Sequence, residues 1–200
     1  TNGTINVTGT VDGTTSVSMS TSDDATISGD VQGEAVTVDA SSIAVDQGGS
    51  IQGDAAVMLT ANAGGTQQID GDVTGDTVSM TNGTINVTGT VDGTTSVSLQ
   101  TTDGDIVMDG SIDSTGDVTV KADNDSIDSS GSITGGTIKM TAGGDLAASG
   151  PLTAATSASM TGENVSLGVV TVDGAPQQTT GISVTANGGD INAEGNLTTT

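Results

Sequence analysis

The sequence predicts an all-β fold: a parallel β-helix, or β-solenoid, of about ten coils with about twenty residues and three short strands in each. Three observations carry this expectation. The stretch TNGTINVTGTVDGTTSVS at 1–18 returns letter for letter at 81–98, and self-similarity at a fixed period marks a repeat architecture. Apolar residues alternate with polar ones through Ile5, Val7, Val11, Val17 and Met19, the period of short strands with one buried face. A column of glycines then recurs once per coil and marks a bend.

That column runs through Gly9, Gly29, Gly49, Gly71, Gly89, Gly110, Gly131, Gly150, Gly168 and Gly195. All its spacings but the last lie between 18 and 22 residues, the length of one solenoid coil. Two residues after each glycine stands an aliphatic: Val11, Val31, Ile51, Val73, Val91, Ile112, Ile133, Leu152, Val170 and Leu197. Before the glycine come pairs such as Ile85 and Val87, or Ile106 and Met108. Later in the coil a second alternating pair follows, among them Val17 with Met19, Val78 with Met80 and Ile138 with Met140. Like residues therefore stack on like, and the methionines at 19, 80, 140 and 160 read as core filler.

Two places depart from the ruler. Ser111–Asp117 reads as a bulge or loop with extra residues, and Ala175–Gly181 reads as a loop leaving the rod. The whole of 1–200 reads as one repeat segment with an 80-residue super-repeat. Because Thr1 opens in register within a repeat, it reads as an excerpt of a longer chain.

Composition narrows the function classes. Lys and Arg together number 2 against 25 Asp and Glu, giving a net charge of −23, and His, Cys, Phe, Trp and Tyr are absent. A compact domain of this size normally fills its core with aromatics, whereas a thin solenoid needs only Val, Ile, Leu, Ala and Met. Such acidity repels nucleic-acid backbones and anionic lipid. No apolar run reaches the length of a membrane-spanning helix, which excludes helical insertion.

Segments such as Gly188–Thr198 (GGDINAEGNLT) and Ser130–Ile138 (SGSITGGTI) resemble the repeats of the large bacterial surface adhesins of the filamentous-haemagglutinin type. The resemblance is one of pattern and composition, and it runs through nearly the whole chain. It implies a right-handed coil, export to the cell surface and a role as a stalk or fibre. The right-handed preference of parallel crossovers agrees with that hand, although left-handed solenoids exist.

Catalysis is not expected. Both basic residues are lysines, Lys121 and Lys139, and the chain has no His, Cys, Tyr or Arg to act as base, nucleophile or oxyanion partner. No cofactor is required, but Ca²⁺ is a candidate ligand. Alignment on the glycine column stacks Glu34, Asp54 and Asp76 five residues after the ruler position, with Asp30 and Asp72 one residue after it. Carboxylates one coil apart repel by about 1 kcal/mol in water, and a hard cation with oxygen ligands relieves this. Against it, no Ca²⁺-binding nonapeptide or complete EF-hand loop is present. Among the N-x-[ST] sequons, Asn6 and Asn86 are the outward candidates for glycosylation.

The expected function is a structural rod of an extracellular, cell-surface adhesin or filament. The alternative is a Ca²⁺-dependent surface or matrix module. The expected partner is another coil at each end of the rod, from the same chain or from a second copy, with no nucleic acid and no membrane insertion.

Overall fold

The computed structural model describes residues 3–173 and 181–199. The described chain winds into a parallel β-solenoid. Its first sheet has ten short strands in unbroken sequence: Ile5–Val7, Ala25–Ile27, Ile43–Val45, Thr66–Ile69, Thr84–Val87, Ile106–Met108, Ile127–Ser129, Leu146–Ala148, Val165–Leu167 and Ile191–Ala193. Each marks one coil, numbered 1 to 10 from the amino-terminal side.

The second sheet holds the rest of each coil. In most coils the chain runs on as one long strand, such as Thr10–Ser20, Asp30–Ala40, Ser50–Ala61, Asp72–Thr81 and Thr90–Thr101. Each of these bends midway, where the register shifts, for example between Gly33 and Ala35. The three segments expected per coil are therefore present, but the second and third usually form one bent strand. In coil 6 they separate into Ser111–Ser114 and Asp117–Ala122, and in coil 9 into Val170–Val172 and Gly181–Ala186. Of the extra residues expected in Ser111–Asp117, one is present against coil 7 and none against coil 5: eight positions lead from Gly110 to Val118, as from Gly89 to Val97, and seven from Gly131 to Ile138. The strand is interrupted there. Of Ala175–Gly181, all but Gly181 lies outside the described residues.

The inward columns match the sequence pattern. Val31, Val73, Val91, Leu152 and Val170 are fully buried, and so are Met80, Met140 and Met160 in the third segment. Met19 is half-buried against the same core. Several inward positions are polar: Thr101 and Ser129 are fully buried, and so is Gln67, which takes the place held by Ile43 below and Ile85 above.

The glycine column has a steric cause. At the corner after most of the short strands, two consecutive backbone N–H groups donate to one carbonyl of the coil below. Asp109 and Gly110 both donate to Val87 O, at 2.8 and 3.0 Å, and Ser130 and Gly131 both donate to Met108 O, at 2.9 Å. This draws successive corners so close that a Cβ on Gly110 would collide with the Gly89 carbonyl oxygen, and one on Gly131 with that of Gly110. A Cβ on Gly9, with no coil beneath it here, meets nothing within 4 Å.

Two expected outcomes follow from this packing. Gly110→Ala should destabilise the rod by about 1–3 kcal/mol, the usual range for an overpacked site, while Gly9→Ala should shift melting little; equal shifts would overturn the steric reading. Val91→Asp should cost several kcal/mol, because it buries an unpaired carboxylate, whereas Thr90→Asp, on the exposed face, should cost little. Thermal unfolding of the two variants side by side checks the inward and outward assignment.

Candidate functional site

The bend of the long strands forms one concave corner of the rod. Gly13, Gly33, Gly53, Gly75 and Gly93 stack there in register. After the glycine, one residue (Glu34, Asp76) or two (Thr14–Thr15, Asp54–Ala55, Thr94–Thr95) turn outward before the register resumes. The backbone thus places Glu34, Asp54 and Asp76 at the same corner of three consecutive coils, as their spacing predicts.

A cavity of about 190 Å³ lies on this corner over coils 1 to 3, lined by Asp12, Gln32, Glu34, Gln52 and Asp54 among others. A second, of about 300 Å³, lies on the same corner over coils 6 to 9 and is lined by Asp113, Thr134, Thr153 and Asp173 among others. Asp12, Gln32 and Gln52 are register partners, and so are Asp113, Thr134 and Thr153. The two cavities therefore groove the same corner of the rod, over coils 1 to 3 and again over coils 6 to 9. The lower cavity carries three carboxylates, which give it a negative potential that gathers counter-ions.

The candidate metal ligands are not gathered into a cage. Asp76 is absent from the cavity that Glu34 and Asp54 line; its carboxylate turns to the coil above and accepts hydrogen bonds from Thr94 Oγ1 at 2.5 Å and Thr95 Oγ1 at 2.6 Å. Asp30 and Asp72 lie two coils apart, because Ser50 stands between them in the column. Ser50 donates to Asp30 at 2.7 Å. Among the described residues, no group of three or more Asp, Glu, His or Cys side chains is placed to hold a metal ion.

The same motif recurs around the rod. Asp46 accepts from Ser28 of the coil below at 2.5 Å. Asp70 accepts from Thr88 of the coil above at 2.5 Å and from Gln68 at 2.6 Å. Asp109 accepts from Ser130, and Asp117 from Thr137, at 2.5 and 2.6 Å. Asp125 accepts from Gly104 N at 2.7 Å while Asp105 accepts from Ser126 N at 3.0 Å, a reciprocal clasp between coils 6 and 7. Asp92 and Asp113 are an exception, as like charges in direct register. Lys121 pairs with Asp123.

The two glycosylation candidates separate despite their identical sequence context. Asn6 is exposed, whereas Asn86 is half-buried and donates to Gln68 Oε1 at 3.2 Å, so a glycan there would displace that bond. Sequence reasoning missed Asp12 as part of the lower cavity and Gln67 as a buried amide. Gln67 Nε2 donates to the carbonyls of Thr81 and Asn82 at 2.7 and 3.1 Å. It thereby braces a corner whose next two residues, Asn82 and Gly83, both take left-handed φ, 65° and 66°. The signal was available, because Gln67 is a polar residue in a column of aliphatics.

No protein-family model, no curated protein and no solved structure matches the chain.

The threonine clasp on Asp76 makes a pH prediction. The Thr94 hydroxyl, then that of Thr95, holds the Asp76 carboxyl below its ordinary value. Unfolding releases both donors, so the folded pKa is lower than the unfolded one. Its contribution to stability is thus present above the unfolded pKa and lost as pH falls through the folded value. Thr94→Val with Thr95→Val should return the Asp76 titration midpoint upward to the ordinary carboxylate range. An NMR titration of the side-chain carboxyl reads this directly, and an unmoved midpoint would refute the clasp.

Proposed function

We propose that the protein is a structural rod, a segment of an extracellular adhesin or filament that supplies length, stiffness and solubility at a cell surface. The observation that carries this reading is the continuity of the stack. Ten short strands form one parallel sheet without a missing rung, over a core built from the same few columns. At the ordinary strand spacing such a stack is about 45–50 Å long. Each coil is hydrogen-bonded to its neighbours along its faces, so bending the rod means breaking ladders in concert. The net charge of −23 favours solubility and keeps flanks apart. Cell-surface placement is supported by the resemblance to filamentous-haemagglutinin-type repeats. A non-catalytic role is supported by a sequence without His, Cys, Arg, Tyr or Trp.

The partner in this reading is a further coil. Repeated apolar columns and parallel ladders of this kind extend by the addition of a coil, from the same chain or from a second copy.

Electron microscopy and small-angle scattering of the 200-residue chain should show a thin rod of the stated length. Antibody against it should label intact cells of the source organism. A rounded particle would refute the rod, and label only in broken cells would refute the surface placement.

A further inference from the structure

We propose that residues 19–98 form a length cassette: this 80-residue block can be removed from the rod or repeated in it with almost no new interface, so that rod length changes in steps of four coils. The inference rests on the rod reading and adds how its length is set.

The argument begins with the identity of 1–18 and 81–98. From residue 3 and residue 83 onward, both stretches occupy the same part of a coil, through the short strand to the middle of the third segment. Both use the same register: Ile5, Asn6 and Val7 pair with the coil above as Ile85, Asn86 and Val87 do. Asp12 and Gly13 stand in their long strand where Asp92 and Gly93 stand in theirs. The two stretches lie four glycines apart on the ruler, from Gly9 to Gly89.

Removing 19–98 joins Ser18 to Leu99, and the product has the sequence of residues 81–200. Coil 5 becomes the lowest coil, and every contact above it stays as it is. Repeating 19–98 after Ser98 gives a chain of 280 residues, from 200 plus 80, with one new join, Ser98 to Met19. The coil at that join rests on coil 4 through residues 81–98, as coil 5 does now. It receives coil 2 above, as coil 1 does now. Within the ladders to coil 4, the only exchanges are Met19 over Met80 where Leu99 now packs, and Ser20 beside Thr81 where Gln100 now pairs. Leucine and methionine exchange in cores with little penalty. The brace that Gln67 places on the Thr81–Asn82 corner lies within the repeated block, so it is copied too.

The experiment compares four chains by scattering and thermal unfolding: the 200-residue protein, the chain lacking 19–98, the chain with 19–98 repeated, and a control. The control repeats 99–178, also 80 residues, whose ends carry no matching sequence. At the ordinary strand spacing the cassette should shorten or lengthen the maximum dimension by about 19 Å. The lengthened chain should unfold in one transition, within about 5 °C of the parent or above it. The control should melt lower, or in two transitions. Aggregation of the lengthened chain, separate melting of its added block, or behaviour equal to that of the control would overturn the cassette. If instead the 200-residue protein itself is not a rod, the rod reading fails, an outcome distinct from failure of the cassette alone.

Discussion

The closeness of the corner backbones is the constraint on which the rest of this structure depends. Two N–H groups converging on one carbonyl of the coil below leave no space for a side chain at the ruler position. Glycine there fixes where each coil turns. With the turn fixed, the residue two positions later must point inward and the next outward, because strand side chains alternate. A slip by one residue would carry the whole aliphatic column into solvent. The core needs no aromatic rings, because the interior of so thin a coil is filled by Val, Ile, Leu, Ala and Met.

The acidity of the surface is compatible with this stacking because the carboxylates are interleaved with donors. Stacked parallel strands place equivalent side chains close together, where like charges repel. The sequence seldom allows that. Ser50 separates Asp30 from Asp72, and Gln32, Gln52 and Thr74 separate Asp12 from Asp92. Where acids do occupy neighbouring corners they diverge: Asp46 reaches to Ser28 below and Asp70 to Thr88 above. Serine, threonine and asparagine on the outer face are thus partners of the carboxylates and not only wetted strand formers.

The coil count, the inward columns and the parallel stacking were legible because backbone sterics write them as a fixed spacing. Val31, Ile51, Val73 and Val91 could be placed from Gly29, Gly49, Gly71 and Gly89 alone. Side-chain direction on the outer face was not legible. Spacing put Glu34, Asp54 and Asp76 on one corner correctly, but it did not show that Thr94 and Thr95 draw Asp76 upward. That depends on the residues one coil away, which a column read singly does not contain. The grooved corner was missed for a related reason: it arises from the bend between two segments, and the second and third segments were expected as separate strands.

Near-identical columns bring a hazard of their own. A rod whose every coil offers the same aliphatic face can, while folding, pair a coil with the wrong neighbour at small energetic cost. Gln67 restricts the related slip within a coil. Its amide is fully buried, and it finds acceptors only at the Thr81 and Asn82 carbonyls that end its own coil. Its Oε1 has no protein partner, so the residue carries some cost even in the native stack. A coil that mispairs as a unit keeps both bonds, but a short strand that slips against its own closing corner forfeits them, a penalty of about 1–3 kcal/mol for a buried polar group left unsatisfied. Gln67, which shares this discomfort with the buried hydroxyls of Thr101 and Ser129, thereby trades a little stability for a fixed register between the short strand and the closing corner of its coil.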